Sequence, residues 1–328
     1  MTKIKLDLDA LLADGLITAA ESQRLQTLAL PNVRNSAIIN VMLIFGAIAI
    51  ATAAIALIPD PTTGLVLAVS SIAGAEALRR FAKDVSLNLL SSALAMMGTL
   101  GIAGWVAYEF QDAPITIVAL AVTFILLAGA VWFRSAFLGA LTVLSLGGAL
   151  GAGTAYWHAS YGLFIREPTI TIIVFGAITA ALFFLHHHIG AAWEKLALVA
   201  GRTAFFLANF GFWVGSLFGD YMGELWKDNV DWQATSDWRE TAFYIPEIAF
   251  TIGWAGALIA IIAFARRGGF LSITSIVFLT IHGYTQYFET FEANPLTILI
   301  AGIVLVAGAV VGAKIISKQR NTTLANKA

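Results

Sequence analysis

The chain alternates between long apolar stretches and short clusters of charged residues. Each apolar stretch approaches the roughly 20 helical residues that cross about 30 Å of hydrocarbon. The stretches are continuously apolar and rich in Ala, Leu, Ile and Gly, which favours helices over the alternating strands of a barrel. The pattern predicts an all-α fold, a polytopic transmembrane helix bundle of about ten spans. The predicted spans are Ala37–Ile58, Thr62–Leu78, Leu87–Tyr108, Ile115–Phe133, Phe137–Trp157, Thr169–Leu185, Leu196–Phe218, Ile248–Ala265, Phe270–Tyr287 and Leu296–Ala313.

Loop charges predict the orientation of these spans, because Lys and Arg near a span end resist translocation. If alternate loops are cytoplasmic, most basic residues lie on one side, whereas a wrong span count would scatter them over both faces. We therefore expect both termini in the cytosol. The residues expected on the cytoplasmic side are Lys3, Lys5, Arg24, Arg34, Arg79, Arg80, Lys83, Arg134, Lys195, Arg266, Arg267, Lys314, Lys318, Arg320 and Lys327, and those expected outside are Arg166, Lys227 and Arg239.

The same pattern divides the chain into three regions. Residues 1–35 are predicted to form a cytoplasmic helical hairpin, residues 36–316 the transmembrane bundle and residues 317–328 a cytoplasmic tail. The bundle can be divided into two five-span halves, residues 37–157 and 169–313. An odd number of spans per half would give the halves opposite orientations, as in inverted-repeat carriers.

The longest outer loop, residues 219–245, is acidic and rich in Trp and Tyr. These side chains favour the headgroup zone, because each combines an apolar ring with a polar group. We expect the loop to lie along the outer interface as one or two short helices. The alternative is a lid that captures a ligand.

The first 30 residues contain signals for two short helices. Asp14-Gly15 ends a short apolar stretch, and Thr18-Ala19-Ala20-Glu21 is a capping box that opens a second helix. Two short helices bury too little area to be stable alone. Their apolar faces are expected to dock on the bundle or on a protein partner, and the alternative is an amphipathic tail on the membrane surface.

The pattern Leu11-Leu12-Ala13-Asp14-Gly15-Leu16-Ile17-Thr18 with Glu21, followed by a polytopic region, resembles the bacterial predicted-membrane-protein family catalogued as domain of unknown function 2157. The motif covers a short N-terminal part of the chain, and the rest is similar only in its many-span plan. The family has no established activity to carry over. The resemblance implies a bacterial inner-membrane location.

Composition excludes several classes of protein. Of 328 residues, 59% are hydrophobic and 12% are charged, whereas a typical soluble domain has about 25% charged residues. The chain has no Cys, which excludes disulfides, thiol nucleophiles and Cys-based metal sites. A net charge of -1 gives no basic signature for nucleic acid. The expected partners are the lipid bilayer, a small solute or ion, and a protein at the N-terminal hairpin.

Some predicted spans carry ionisable residues. These residues are candidates for function, because charge inside a membrane is costly. Glu76 precedes Arg79 and Arg80, so an intrahelical ion pair or snorkelling explains it without a function. Arg202 begins a polar stripe on the seventh span that continues through Asn209, Trp213, Ser216 and Asp220. Either Arg202 lines a cavity, or Glu76 on another helix neutralises it.

The ninth predicted span has a polar face made of Ser275, His282, Gln286 and Glu289, at spacings of seven, four and three residues. His282 could titrate near neutral pH, as a proton-coupled carrier requires. The alternative is a histidine that is hydrogen-bonded within the bundle.

No sequence motif supports an enzyme or a bound cofactor. The triplet His186-His187-His188 is a weak metal signal, because consecutive helical residues point about 100° apart and no fixed acid or thiol partner is evident, so interfacial capping is the preferred interpretation. Phosphate-loop, zinc-protease and nucleophile-elbow motifs do not occur. We expect no catalytic residue, no metal and no enzymatic activity.

Glycines recur at helical spacing in several predicted spans, for example Gly98, Gly101 and Gly104. Such spacing allows two helix backbones to approach closely. The preferred interpretation is tight packing within the bundle, and the alternative is a dimer face.

Two functions compete on these observations. One is a small-solute transporter whose cavity is lined by Arg202, Asn209, His282 and Gln286, with Glu76 as a further candidate. The other is an assembly or regulatory protein that docks a partner through its N-terminal hairpin. A deep polar cavity would favour the first function, and a solid bundle with an exposed apolar groove on the hairpin would favour the second.

Overall fold

The computed structural model describes residues 8–13, 16–28, 46, 60–81, 85–157, 160–226, 232–265, 269–292 and 294–307. The predicted span Ala37–Ile58, apart from Gly46, lies outside the described residues, as do the end of the last predicted span and the tail 317–328.

The chain forms two compact units. Unit 1 comprises Met1–Phe110 and Val131–Ser135, and unit 2 comprises Gln111–Ala130 and Ala136–Ala328. These units do not coincide with the predicted halves 37–157 and 169–313, whose relation as repeats stays a prediction.

Unit 1 contains helices α1 (Leu8–Ala13), α2 (Ala19–Leu28), α3 (Pro61–Phe81) and α4 (Val85–Glu109). The predicted capping box before α2 is confirmed, because the Thr18 N–H donates to Glu21 Oε2 at 2.8 Å and the Glu21 N–H donates to Thr18 Oγ1 at 3.3 Å.

Helices α3 and α4 pack closely through glycine. A Cβ at Gly98 would lie 2.7 Å from the carbonyl oxygen of Ala68, and a Cβ at Gly101 would lie 2.7 Å from the Ala68 Cβ. The Ser91 hydroxyl donates to the carbonyl of Ala75 at 2.7 Å across the same interface. Gly98 and Gly101 therefore serve packing within unit 1, whereas Gly104 faces open space.

Unit 2 is built around one long helix. Its elements are α5 (Ile115–Phe133, whose last residues belong to unit 1), α6 (Ala136–Ala149), β1 (Ala152–Trp157), β2 (Ser160–Ile165), α7 (Pro168–Leu185), α8 (Ala191–Phe218), β3 (Asp220–Tyr221), a 3-10 turn (Glu224–Trp226), α9 (Trp232–Thr241), β4 (Tyr244–Ile245), α10 (Glu247–Phe264), α11 (Phe270–Phe291) and α12 (Pro295–Ala307). Helix α8 packs against α6, α7 and α10, and α10 packs against α11.

The core of unit 2 has two clusters. Val143 of α6 and Phe175 of α7 meet a row of alanines on α8. Trp254 and Leu258 of α10 meet Phe278 of α11. The small residues of α8 allow its neighbours to approach closely, as expected between helices in a membrane.

The described chain is mostly helical, as predicted, but the predicted span over Phe137–Trp157 needs correction. Helix α6 ends at Ala149, and Gly151 follows with φ of 82°, a conformation that favours glycine over residues with a Cβ. Ala152–Trp157 then pairs antiparallel with Ser160–Ile165, from Ala152 opposite Ile165 to Trp157 opposite Ser160. Strand pairing satisfies the backbone N–H and C=O groups of Ala152–Trp157. The apolar sequence can therefore extend beyond the end of helix α6.

The described residues of the predicted outer loop 219–245 fold largely as expected, while the position of the loop outside the membrane stays a prediction. Strands β3 and β4 pair at its two ends, and the 3-10 turn and α9 lie between them. The prediction of one or two short helices is confirmed, and the strand pair that closes the loop was not anticipated.

Six helices of the described chain are long and apolar enough to cross a membrane: Pro61–Phe81, Leu87–Glu109, Ile115–Phe133, Pro168–Leu185, Ala191–Phe218 and Glu247–Phe264. The helices at Ala136–Ala149 and Pro295–Ala307 are apolar but shorter. The chain is therefore a membrane-embedded helical protein, and the count of ten spans stays a prediction.

Candidate functional site

A buried polar seam runs between α8, α10 and α11 in unit 2, and we define it by Asn209, Trp254, Ser275, His282 and Gln286. Asn209 Oδ1 accepts a hydrogen bond from Trp254 Nε1 at 2.8 Å, and Asn209 Nδ2 donates to the Phe205 carbonyl at 2.8 Å. The rings of Trp254 and His282 lie 4.6 Å apart. Two predicted residues, Asn209 and His282, are therefore joined through a tryptophan that the sequence analysis did not single out.

The α11 side of the seam carries polar atoms that lack partners. Ser275 Oγ, His282 Nδ1 and Gln286 Nε2 are buried and have no hydrogen-bond partner among the described residues. The His282 ring is held by its contact with the Trp254 ring, while Nδ1 stays unpaired among the described residues. Buried polar groups are nearly always paired in native proteins, with water or an ion where protein groups are lacking. This face therefore has hydrogen-bonding capacity that water or a small polar species could use.

Arg202 lies apart from the seam. Its side chain is exposed, and its guanidinium carbon lies 4.8 Å from the centre of the Phe270 ring. Phe270 is the first residue of α11, so Arg202 is level with the beginning of that helix, while Asn209 is buried two turns further along α8. The structure does not bring these two residues of the predicted stripe together.

Glu76 lies in unit 1 with partners of its own. Its carboxylate is 2.8 Å from Arg79 Nη2 and 2.6 Å from Arg80 Nε, and it accepts a hydrogen bond from Trp132 Nε1 at 3.3 Å. The interpretation of Glu76 as an intrahelical ion pair is confirmed. The alternative in which Glu76 neutralises Arg202 stays a prediction.

The histidine triplet ends α7. His186 Nδ1 lies 2.7 Å from the Phe183 carbonyl and His188 Nδ1 lies 3.1 Å from the Phe184 carbonyl, as expected for capping. The structure also brings an acid near, because ligand atoms of His186, His187 and Glu194 lie within 4.8 Å of one another. The sequence analysis had not found this acid, since Glu194 follows on the next helix.

Two buried carboxylates lie at the other end of α7 and α8. Asp220 ends the polar stripe predicted on α8, whereas Glu167 was not singled out from the sequence. Glu167 is 0% exposed and accepts hydrogen bonds from the N–H groups of Gly223 (3.1 Å) and Leu225 (2.8 Å). Asp220 is 2% exposed and accepts one from the Thr169 N–H at 2.9 Å, and its Oδ1 has no partner among the described residues. Both acids flank helix ends, which is the signal that could have identified them.

Burial raises the pKa of Glu167 and of Asp220 above their usual values of 4.5 and 3.8. Desolvation is the main cause, because it disfavours the charged form, while the backbone N–H donors act in the opposite direction. The nearby Glu224 adds to the rise in both pKa values.

We expect this pair of acids to make unit 2 less stable as pH rises. The folded form binds more protons than the unfolded chain above about pH 4, so the free energy of unfolding falls through the window between the unfolded and folded pKa values. As the pH rises from the unfolded pKa values towards the raised folded ones, the wild-type thermal midpoint should therefore fall more than that of the Glu167→Gln/Asp220→Asn variant. Glu289→Gln, at an exposed acid, is the control, and equal slopes for the wild type and the double variant would contradict the prediction.

Two connected cavities lie beside these acids. The lateral cleft, of about 600 Å³, is apolar and is lined by Leu144, Ala152, Gly153, Phe164, Ile165, Leu207, Phe210, Trp213, Val214, Leu217 and Phe218. The end pocket, of about 350 Å³, is lined by Phe164, Ile165, Arg166, Val214, Phe218, Gly219, Asp220, Tyr221, Glu224 and Arg239. Arg202, Asn209, His282, Gln286 and Glu76 line neither cavity, but two further residues of the predicted polar stripe do: Trp213 lines the lateral cleft and Asp220 lines the end pocket.

No family model, curated protein or solved structure matches the chain. The resemblance of the N-terminal motif to a bacterial membrane-protein family stays a prediction. What is shown is a membrane-embedded helical protein with a polar seam in unit 2 and an acidic, arginine-bearing site at one end of that unit.

Proposed function

We propose that this protein is a transporter of a small polar solute, and that the seam of unit 2 is where the solute binds. The observation that carries the proposal is the set of three unpaired polar atoms on one face of α11: Ser275 Oγ, His282 Nδ1 and Gln286 Nε2. Each unpaired buried group costs about 1–3 kcal/mol. Ser275 and Gln286 are eleven residues apart on α11, about 16 Å at about 1.5 Å per residue, so a small solute pairs with neighbouring atoms such as His282 Nδ1 and Gln286 Nε2. Pairing would recover part of this cost, which gives this part of the seam an affinity for polar molecules.

The seam offers both donors and acceptors. Gln286 Nε2 is a donor, Ser275 Oγ can donate or accept, and His282 Nδ1 accepts in the tautomer that carries the proton on Nε2. This set suits a neutral or zwitterionic solute with both hydroxyl-type and amine-type groups. His282 is the residue that could couple binding to a proton, because histidine changes charge near neutral pH.

The surrounding aromatic groups exclude water and fix the geometry. Trp254 is fully buried, and Trp213 Nε1 donates to Thr285 Oγ1 at 3.2 Å on the flank of the seam. Inside a membrane such hydrogen bonds hold helices in one register. In this proposal the chain lies in a bacterial inner membrane with both termini in the cytosol, which the loop charges support.

Thermal stabilisation of purified full-length protein by a panel of amino acids, polyols, organic acids and monovalent ions tests the proposal. A ligand at about 100 times its Kd raises the free energy of unfolding by about 2.7 kcal/mol. We expect at least one solute to raise the thermal midpoint, and His282→Ala and Gln286→Ala each to abolish that rise. Arg202→Ala and His188→Ala should retain it, because both side chains lie outside the seam.

Two outcomes would contradict the transport proposal. One is a panel without any stabilising solute, and the other is a rise that survives both seam variants. Either would favour the assembly function, for which the N-terminal segment offers exposed apolar side chains: Leu12 is 40% exposed and Leu16 is 69% exposed. A protein partner could cover these residues.

A further inference from the structure

The lateral cleft and the end pocket form one continuous amphipathic groove. They share the residues Phe164, Ile165, Val214 and Phe218. The cleft is lined mainly by apolar and aromatic side chains, whereas the pocket adds Arg166, Asp220 and Arg239. The groove therefore changes from apolar to charged along its length. The volume of each cavity lies within the range of ordinary ligand sites, about 300–1,000 Å³.

The lining of the groove changes from apolar to charged at the end of α8. The cleft follows α8 from Leu207 to Phe218, which is about 16 Å at about 1.5 Å per residue, and the charged pocket begins where the helix ends, at Gly219 and Asp220. Half of the hydrocarbon thickness of a bilayer is about 15 Å. The apolar part of the groove thus has the length of one lipid leaflet, and the charged part begins at headgroup depth.

The end pocket is lined by two cations, Arg166 and Arg239, and by two acids, Asp220 and Glu224, and Arg166 is the cation left for an anion. Arg239 is already neutralised by Glu224 at 3.2 Å and lies over the Tyr221 ring at 5.1 Å. Arg166 is exposed and makes no ion pair within the part of the chain that the structure describes. A Cβ at Gly151 would lie only 2.9 Å from the Arg166 Cβ, so the Arg166 stem rests on the Gly151 backbone.

The pocket also needs a hydrogen-bond donor. Asp220 lines it, is 98% buried and has an unpaired Oδ1, while its Oδ2 is used by the Thr169 N–H. A ligand hydroxyl beside the phosphate would pair with that atom. A bare anion would not supply this donor.

We propose that the groove is a specific site for one anionic phospholipid with a hydroxylated headgroup. An acyl chain lies in the lateral cleft, the phosphate binds Arg166, and a headgroup hydroxyl donates to Asp220 Oδ1. Bulk lipid would fill the cleft without preference for a headgroup, and a second copy of the chain would bring no phosphate. The combination of leaflet-length apolar surface, unpaired cation and unpaired acceptor selects the phospholipid.

Native mass spectrometry of the full-length protein in detergent, with equimolar phosphatidylglycerol and phosphatidylcholine of identical chains, tests this site. We expect one phosphatidylglycerol per chain to be retained, with a preference of about tenfold over phosphatidylcholine, as one charge-assisted contact would give. Arg166→Gln should reduce the preference to about twofold or less. Lys195→Gln, which removes an exposed cation at the opposite end of α8, should leave the preference unchanged.

Substitutions that fill the lateral cleft test the role of the acyl chain independently. Val214→Phe or Leu217→Trp should reduce retention of both lipids, and the second variant covers failure of the first to fold. Equal retention of the two lipids by the wild type would overturn the proposal, as would a preference that Lys195→Gln and Arg166→Gln lower equally. Inorganic phosphate that raises the thermal midpoint as much as phosphatidylglycerol would also overturn it, because the cleft would then contribute nothing.

Discussion

Trp254→Ala should lower the free energy of unfolding by about 3–5 kcal/mol, the range for removing a fully buried large aromatic side chain. The Trp254 ring is 0% exposed and packs against Phe278 at 6.2 Å, Phe212 at 6.4 Å and His282 at 4.6 Å between ring centres. Alanine would leave a cavity among these rings. It would also leave Asn209 Oδ1 without its donor in a site that water reaches poorly. Unfolding in mixed micelles, followed by circular dichroism, measures the effect.

Trp254→Phe separates packing from hydrogen bonding. The phenyl ring keeps most of the contacts but removes the N–H that Asn209 accepts, so we expect a loss of about 1–3 kcal/mol. Trp226→Ala is the matched control, because that tryptophan is 56% exposed. A Trp254→Ala variant as stable as Trp226→Ala would show that α10 and α11 do not pack through this residue.

Gly98→Leu should lower the free energy of unfolding by about 3 kcal/mol, at the upper end of the usual cost of overpacking. Any Cβ at this position would lie 2.5 Å from Ile72 Cγ1 and 2.7 Å from the Ala68 carbonyl oxygen. The second contact involves backbone, so α3 and α4 must move apart, and the packing of the whole interface is reduced.

Gly104→Leu is the matched control for this prediction, because it makes the same change on the same helix. A Cβ at Gly104 meets no atom within 4 Å, so we expect stability within about 0.5 kcal/mol of the wild type, as for ordinary surface substitutions. Equal losses in the two variants would point to a dimer face or a general effect on α4. Comparison of the two unfolding curves decides between these outcomes.

Parts of the candidate site could be predicted from the sequence, and parts could not. Spacing along one helix put Ser275, His282 and Gln286 on a common face, and the structure buries an unpaired polar atom of each. The same spacing grouped Arg202 with Asn209, yet only Asn209 is buried. Helical periodicity predicts which residues share a face, but not where along that face a neighbouring helix begins. Helix α11 begins level with Arg202, so Arg202 lies at the end of the packed region.

Apart from Asp220, the surroundings of the end pocket were missed because its residues come from separate parts of the chain. Glu167 binds N–H groups of residues 56 and 58 positions away, and Asp220 binds Thr169 across 51 positions. No local pattern encodes such pairings. The β1–β2 hairpin was missed for a related reason, since an apolar run of Ala, Gly and aromatic residues does not distinguish a helix end from a strand.

The sequence alone determined the features that act over neighbouring residues: the apolar helices, the capping box at Thr18 and Glu21, and the ion pair of Glu76 with Arg80. Hydropathy, capping and i,i+4 pairing need only a few adjacent positions, so they can be derived without knowing the fold. The tertiary structure alone decided which distant polar groups meet, such as Asn209 with Trp254 across 45 positions. It also decided which polar groups are left unpaired, because burial and partners depend on how whole helices pack together.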